Sequence, residues 1–138
     1  MKKSILMILC AALGFAGNAQ QKNAKAMKMT QHIERAAPDV QKAIMALNNQ
    51  DAEAWYALFS DNATFSDDGR ELDFKDWCDK QLFGQSECAV IRIDKVENNG
   101  LLLYCLFYSD NYGEFKTYME FERNDDAFDR LEVGQVEY

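Results

Sequence analysis

The chain has 138 residues, of which 48% are hydrophobic, and it carries 23 acidic side chains against 15 basic ones. This length fits a single domain with one hydrophobic core. The formal net charge of −8 argues against a nucleic-acid partner and against binding to an anionic membrane, because an acidic surface repels phosphate groups.

The first 19 residues have the three parts of a signal peptide. Lys2 and Lys3 form a positive start, residues 5–15 form a short apolar run, and residues 17–19 (Gly-Asn-Ala) have the form of a cleavage site. The apolar run is too short to span a bilayer, although an uncleaved anchor is the alternative interpretation. We therefore expect export to the periplasm or the cell exterior, with residues 20–138 as the mature chain.

Three cysteines follow the leader, namely Cys78, Cys88 and Cys105, and His32 is the single histidine. Their spacing matches no zinc-binding pattern, and no cofactor-binding motif occurs, so we expect neither a metal nor a cofactor. An odd number of cysteines cannot all pair within one chain. We expect small buried side chains with at most one disulfide, and the predicted strand register requires such a bridge to include Cys78.

Residues 20–37 are polar and are predicted to form a tail that runs into the first helix. Pro38 suits the first turn of a helix, and Asp51 is placed to cap a second one. Apolar side chains at helical spacing predict the buried faces of these two helices, at Val40, Ile44, Leu47, Trp55, Leu58 and Phe59.

A short extended segment and a third helix come next. Residues 63–65 (Ala-Thr-Phe) are predicted to be extended, and residues 67–69 (Asp-Asp-Gly) form a turn. Asp73 is predicted to cap the third helix, whose apolar face holds Phe74, Trp77, Cys78 and Leu82.

The hydrophobic period then changes from helical to two, which is typical of strands. The pair at 99–100 (Asn-Gly) predicts a tight hairpin turn. Four strands are predicted, at residues 87–97, 101–108, 113–123 and 127–138. Helices followed by a meander predict a single α+β domain in which three N-terminal helices pack on one face of an antiparallel sheet.

Alternation along the third predicted strand sends Phe115, Thr117, Met119 and Phe121 to one face of the sheet. Residues 101–108 (Leu-Leu-Leu-Tyr-Cys-Leu-Phe-Tyr) are apolar on both faces. Since one face packs on the helices, the other needs a cover. We expect a homodimer through the outer face of the sheet, with Val90, Val96, Leu103, Cys105 and Phe107 forming a continuous apolar patch.

Three short motifs carry a resemblance to a known superfamily. Residues 48–51 read Asn-Asn-Gln-Asp, residues 58–62 read Leu-Phe-Ser-Asp-Asn, and residues 63–67 read Ala-Thr-Phe-Ser-Asp. Together with the order of the elements, they make residues 38–138 resemble the nuclear transport factor 2-like superfamily, in particular its SnoaL-like and ketosteroid isomerase-like branches. The resemblance implies a cone, in which a curved sheet wraps the helices and leaves a pocket at the open end.

The resemblance also implies a role for Asp67, which matches the general base of ketosteroid isomerases. Those enzymes carry a tyrosine on the first helix as an oxyanion donor, and the matching residue here is Ala43. A base without such a donor lacks a large part of transition-state stabilisation. Alternation places Asp67 on the inward side of the short strand with Phe65 and turns Asp68 to solvent.

The predicted function is the binding of a small apolar or amphipathic molecule in an apolar pocket. One alternative is a SnoaL-like isomerase, cyclase or lyase with Asp67 as its general base, and another is a dimeric scaffold whose pocket is filled. A third possibility is that the two aspartates form a solvated turn and no site. The residues predicted to line the pocket are Trp55, Phe59, Phe65, Trp77, Phe115, Thr117, Met119 and Phe121.

Overall fold

The structure is a computed structural model that describes residues 29–84 and 87–138. The predicted signal peptide and residues 20–28 of the predicted tail lie outside the described residues. The helices are α1 (Pro38–Asn48), α2 (Ala52–Tyr56) and α3 (Phe74–Gln81), and the strands are β1 (Phe59–Asp67), β2 (Arg70–Leu72), β3 (Cys88–Glu97), β4 (Leu102–Ser109), β5 (Gly113–Asn124) and β6 (Ala127–Gln135). The described helices are all too short or too polar to cross a membrane.

The helices begin where the capping residues predict. The Asp51 carboxylate accepts a hydrogen bond from the backbone N–H of Ala54 at 3.1 Å. At the start of α3, the Asp73 carboxylate accepts one from the backbone N–H of Asp76 at 2.8 Å. These bonds satisfy N–H groups that the first turn of a helix leaves without an internal partner. The apolar face predicted for α1 is also confirmed, since Val40, Ile44 and Leu47 are fully buried.

The predicted second helix is too long. The helix α2 has only five residues, and Phe59 already belongs to β1. The backbone N–H of Phe128 donates to the Leu58 carbonyl at 2.9 Å, and Phe59 lies opposite Phe128 in the sheet. Pairing with a distant strand thus ends the helix. Because β1 and β2 also precede α3, the three helices do not all come before the sheet.

The six strands form one sheet in the order β2-β1-β6-β5-β4-β3. Strands β3 to β6 form the predicted antiparallel meander. The sheet is nevertheless mixed, because β1 runs parallel to β6, and the prediction of a purely antiparallel sheet is wrong. Two antiparallel neighbours can follow each other through a tight turn, whereas a parallel pair needs a long connection. Here that connection consists of β2, α3 and the three strands β3–β5.

The register of β3 and β4 differs from the prediction because the strands contain bulges. Cys105 lies opposite Ile93 and not opposite Asp94, and the pairing shifts twice along the two strands. An extra residue in one strand of a pair bends the sheet, and such bends allow the sheet to curl around the helices. Cys88 lies opposite Ser109, four positions from Cys105 and so ~14 Å away along the strand. All three described cysteines are free.

The apolar patch proposed for the dimer lies on the inner face of the sheet. Val90, Leu103 and Cys105 are buried in the core, and Val96 and Phe107 pack against it. The prediction that these five residues form an outer patch is therefore wrong, because the face that they share is the one covered by the helices. The outward side chains of β4 are Leu102, Tyr104, Leu106 and Tyr108, which are half-buried.

Packing against the sheet begins before Pro38. Thr30 is buried, and its hydroxyl donates to the Val90 carbonyl at 2.8 Å. Gln31 forms a parallel bridge with Arg92. The described part of the predicted tail therefore contributes to the structure beside β3.

Candidate ligand-binding cavity

A cavity of about 440 Å³ lies between α3 and the inner face of the sheet. The β1–β2 hairpin and the turn between β4 and β5 contribute to its rim, where Tyr112 is 74% exposed. Much of its wall is apolar and comes from several elements, including Leu47, Leu82, Phe107, Leu131 and Val133. A volume of this size is within the usual range of small-molecule pockets, roughly 300–1,000 Å³.

Half of the predicted pocket residues lie on the wall of this cavity. Trp77, Phe115, Thr117 and Met119 line it, together with Asp67. Strand alternation explains the three residues of β5, which point to the same inner face at every second position.

The other four predicted residues, Trp55, Phe59, Phe65 and Phe121, lie in the core and do not line the cavity. Phe59 contacts two of the others, with its ring centroid 5.0 Å from that of Trp55 and 6.3 Å from that of Phe121. These rings fill the space between the helices and the sheet. The strand or helix to which a residue belongs determines whether its side chain points toward the interior. Its distance from the opening of the cavity depends on how the helices and strands pack together.

Asp67 is the last residue of β1 and points into the cavity. It lies opposite Arg70 in the hairpin with β2 and beside Val133 of β6. Asp68 and Gly69 form the two-residue turn, with φ angles of 50° and 82°. Two consecutive positive φ values are typical of a type I′ turn, which an Asp-Gly pair favours. The hairpin thus positions the half-buried Asp67 side chain beside the apolar wall.

The surroundings of Asp67 raise the pKa of its carboxyl group above the ordinary value. The largest cause is burial, which disfavours the charged form, and the negative charge of Asp68 adds to it. The nearby Trp77 side chain and the positive charge of Arg70 lower the pKa and so act in the opposite direction. Asp67 is therefore an acid that protonates more readily than an exposed aspartate and can accept hydrogen bonds from a bound molecule.

Asp68 has a different environment. Its side chain is exposed at the cavity rim, and its Oδ1 atom accepts a hydrogen bond from the backbone N–H of Gln135 at 3.0 Å. The backbone N–H of Asp68 donates to the Val133 carbonyl at 2.9 Å. These bonds join the hairpin turn to the end of β6. Asp68 therefore stabilises the rim, whereas Asp67 faces the cavity.

The two buried hydroxyl groups on the wall, those of Ser109 and Thr117, already have partners within the protein. The hydroxyl of Thr117 donates to the Gly134 carbonyl at 2.6 Å. The hydroxyl of Ser109 accepts a hydrogen bond from the backbone N–H of Tyr112 at 3.1 Å. Ala43, which the resemblance matches to the donor tyrosine of ketosteroid isomerases, is fully buried and does not line the cavity. No hydroxyl is therefore available at that position.

Several cavity residues were not predicted from the sequence. Arg70 and Leu72 reach the cavity because β1 and β2 form a hairpin, and the Asp-Gly pair was the signal for it. Gln81 lies one helical turn after Trp77, on the same side of α3. Leu131 and Val133 of β6 have no comparable local signal, since their place beside β1 follows from the parallel pairing.

The described residues contain no cluster of His, Cys, Asp and Glu side chains that could hold a metal ion. The acids near the cavity are consecutive residues on a turn, and one of them is bonded to the backbone of β6.

No model of a known protein family matches the sequence, and no curated protein sequence matches it. A solved structure of a nuclear transport factor 2-like protein of unknown function from Cytophaga hutchinsonii matches with a TM-score of 0.56 at 15% identity, covering 80% of this chain and 95% of that one. The chain has the nuclear transport factor 2-like fold.

Two further solved structures share this nuclear transport factor 2-like fold. A protein assigned as a polyketide cyclase from Sinorhizobium meliloti matches with a TM-score of 0.60 at 15% identity, covering 74% of this chain and 98% of that one. The orange carotenoid protein of Anabaena, which binds canthaxanthin, matches with a TM-score of 0.54 at 13% identity, covering 72% of this chain and 35% of that one. At such low identity the likeness concerns the fold, and a fold of this kind hosts different functions.

Proposed function

We propose that the protein binds a small amphipathic molecule in the cavity. The observation that carries the proposal is the half-buried carboxylate of Asp67 on a largely apolar wall. Pockets for small molecules typically combine apolar walls with a few polar groups that fix orientation. The orange carotenoid protein of Anabaena, of which 35% matches this fold, binds canthaxanthin, and this supports the use of such a fold for binding a small molecule.

The apolar part of the ligand would lie against the rings and side chains of β4 and β5. Phe107 and Phe115 form a ring pair with centroids 5.6 Å apart, and Met119 lies on the same wall. Burial of apolar area contributes about 25 cal/mol per Å², so a bicyclic aromatic group gains several kcal/mol before the costs of association.

The polar part of the ligand would meet Asp67. A carboxylate accepts hydrogen bonds and attracts positive charge, and Asp68 adds a second negative charge nearby. Arg70 offsets part of this charge. We therefore propose that an amine or a hydroxyl group is preferred over a carboxylate at this end of the ligand.

Three isosteric probes test the proposal, namely naphthylmethylamine, naphthalenemethanol and naphthoic acid. Calorimetry at pH 7 should rank the amine first and the acid last. Asp67→Asn should weaken binding of the amine by about tenfold, since it removes a charge-assisted hydrogen bond, and should change binding of the alcohol much less. Asp126→Asn is the matched control, because Asp126 is exposed and does not line the cavity. Equal affinities for all three probes, or none for any, would contradict the proposal.

A catalytic function is the second candidate, with Asp67 as the general base of an isomerase, cyclase or lyase. The raised pKa of Asp67 favours it, because a base works best when its pKa lies near the working pH. The likeness to a protein assigned as a polyketide cyclase also supports it. Binding remains our preferred proposal because Ala43 provides no donor for a developing oxyanion.

We also propose that the protein is exported and acts outside the cytoplasm. The support is the three-part leader in residues 1–19. N-terminal sequencing of secreted material should begin at Gln20 or within a few residues of it. A mature chain that begins at Met1 would contradict export with cleavage.

A homodimer through the outer face of the sheet is a further proposal. Its support is the row of half-buried outward side chains on β4, at Leu102, Tyr104, Leu106 and Tyr108. In the scaffold alternative this dimer would be the whole function, but the cavity of about 440 Å³ favours ligand binding over a filled pocket. Light scattering at micromolar concentration should give twice the monomer mass, and a monomer mass would overturn the proposal.

A further inference from the structure

We infer that Arg70 is a second anchoring residue of the cavity, which binds a carboxylate group on the same ligand whose amine meets Asp67. The ligand class is therefore amphoteric, with an apolar aromatic body and the two charged groups of an amino acid. The inference rests on the proposed binding function and adds an anionic group to the ligand.

The first hairpin places Asp67 and Arg70 side by side at the cavity. The two residues are partners across the two-residue turn that joins β1 to β2. Directly opposite residues of an antiparallel pair have their Cβ atoms about 4.5–5.5 Å apart and on the same face of the sheet. Both side chains accordingly line the cavity. A bound molecule therefore meets a negative and a positive group from neighbouring strands.

The guanidinium group of Arg70 has no carboxylate partner within the described part of the chain. Although Asp67 lies opposite it, Arg70 forms no ion pair with any residue of 29–84 or 87–138. The other three arginines of the sheet each pair with a carboxylate, namely Arg92 with Asp94, Arg123 with Asp39 and Arg130 with Glu71. Of these four arginines, Arg70 is the one whose charge remains available to a ligand.

The acids that precede and follow Arg70 are bonded elsewhere. Glu71 is the next residue along β2 and so points to the opposite face, where its Oε1 atom accepts a hydrogen bond from Arg130 at 2.8 Å. Oδ1 of Asp68 accepts a hydrogen bond from the backbone N–H of Gln135 at 3.0 Å. Both acids are thereby joined to β6, and neither neutralises Arg70.

A guanidinium group suits a carboxylate because two of its N–H groups can donate in parallel to the two carboxylate oxygens. In an amino acid the ammonium and the carboxylate are attached to one carbon atom, so one end of the ligand can contact two adjacent side chains. A carboxylate alone would meet the negative charges of Asp67 and Asp68 against the single positive charge of Arg70. An ammonium group paired with Asp67 removes this imbalance, and the carboxylate is accepted only together with the amine.

Three probes with one aromatic body test the inference. Naphthylalanine has both charged groups, naphthylethylamine lacks the carboxylate, and naphthylpropionic acid lacks the amine. Calorimetry at pH 7 should rank naphthylalanine first, about three- to tenfold tighter than naphthylethylamine, and naphthylpropionic acid last. Binding of naphthylalanine that is no tighter than that of naphthylethylamine would overturn the inference.

Variants of Arg70 connect this preference to the guanidinium group. Arg70→Gln should weaken the binding of naphthylalanine by about three- to tenfold and slightly strengthen that of naphthylethylamine, because a positive charge near the amine is removed. Arg70→Lys should recover part of the loss, since lysine keeps the charge without the fork of donors. Arg35→Gln is the matched control, because Arg35 is exposed and does not line the cavity. An equal loss for naphthylalanine and naphthylethylamine in Arg70→Gln would overturn the inference.

NMR of the Arg70 side chain gives a direct readout of the contact. The Nε–H resonance of Arg70, assigned with Arg70→Lys, should shift on addition of naphthylalanine and much less on addition of naphthylethylamine. Denaturant unfolding should give Arg70→Gln the midpoint of the parent protein, because the Arg70 side chain is exposed, so a change in binding does not reflect a loss of folding. An Nε–H resonance that does not move at saturating naphthylalanine would contradict the contact.

The outcomes separate this inference from the proposed function. Binding of naphthylethylamine with no advantage for naphthylalanine would support the function and overturn the role of Arg70. Binding of naphthylalanine that depends on Arg70, without binding of either amine probe, would support the role of Arg70 and overturn the proposed preference for a simple amine. Binding of none of the probes would overturn both.

Discussion

The carboxylate of Asp68 accepts a hydrogen bond from the backbone N–H of Gln135, with Oδ1 and N 3.0 Å apart. This bond connects the turn of the first hairpin to the end of the last strand, and Gly134 lies directly beneath it. A Cβ atom at Gly134 would lie 2.7 Å from Oδ1 of Asp68 and 2.6 Å from Cε1 of Tyr118. The two adjacent aspartates thus have different roles. Asp68 stabilises the cavity rim through this hydrogen bond, and Asp67 faces the cavity.

Gly134→Ala should lower stability by about 1–3 kcal/mol, which is typical when an added methyl group meets closely packed atoms. Denaturant unfolding measures the change. In a Tyr118→Ala background the same substitution should cost less, because one of the two close contacts is absent, and a double-mutant cycle gives the coupling. If Gly134→Ala lowered the free energy of unfolding equally in the two backgrounds, the Tyr118 ring would not be the source of the destabilisation.

The ion pair between Asp39 and Arg123 should make stability depend on pH. Arg123 donates to both carboxylate oxygens of Asp39, at 2.7 and 2.9 Å, and holds the Asp39 pKa below its usual range. A lowered pKa in the folded state adds stability above the unfolded value of about 3.9, and this is lost as the pH falls through the folded value.

Asp39→Asn should therefore destabilise the protein at pH 7 by about 0.5–1 kcal/mol, a value kept small by solvent screening. The difference from the parent should narrow as the pH falls below about 4. Asp76→Asn on α3 is the control, since the pair of Asp76 with Lys80 is mostly exposed, and its effect should be close to zero. An Asp39→Asn deficit that is the same at acid and neutral pH would refute the ionic explanation.

The thiols should be unreactive in the folded protein. Cys78, Cys88 and Cys105 are buried, and burial raises the pKa of their thiols to about 12, about 11 and about 12. Because the thiolate is the reactive form, a chromogenic disulfide reagent at pH 8 should label none of them without denaturant. In a chain that begins at residue 20, unfolding should expose all three. Rapid labelling of the native protein would contradict their burial.

Ketosteroid isomerisation should be undetectable. A β,γ-unsaturated ketosteroid provides an acidic C–H for Asp67, but Ala43 is fully buried and brings no hydroxyl to the enolate oxygen. A missing oxyanion donor typically costs several kcal/mol of transition-state stabilisation. The absorbance of the conjugated product gives the rate. Robust conversion that Asp67→Asn abolishes would reverse our preference and make catalysis the leading function.

Much of the local structure could be predicted from the sequence because its signals are local. The spacing of Val40, Ile44 and Leu47 determines which face of α1 is buried, and Asp51 and Asp73 mark helix starts through bonds to residues three positions away. Alternation along a strand likewise determines the inward direction of the side chains on β1 and β5, which include the candidate acid and three cavity residues.

Other features depend on partners far apart in the chain, and only the tertiary structure decided them. Phe59 has a helical spacing in the sequence but joins β1, because Phe128 lies opposite it. Phe121 and Met119 share a face of β5, yet Phe121 lies in the core and Met119 on the cavity wall. The position of a residue in its strand determines which face of the sheet its side chain lies on. Whether that side chain lies in the core or on the cavity wall depends on how α2 and α3 pack on the sheet. The ring contact of Trp77 with Phe65 likewise exists only because α3 packs against β1.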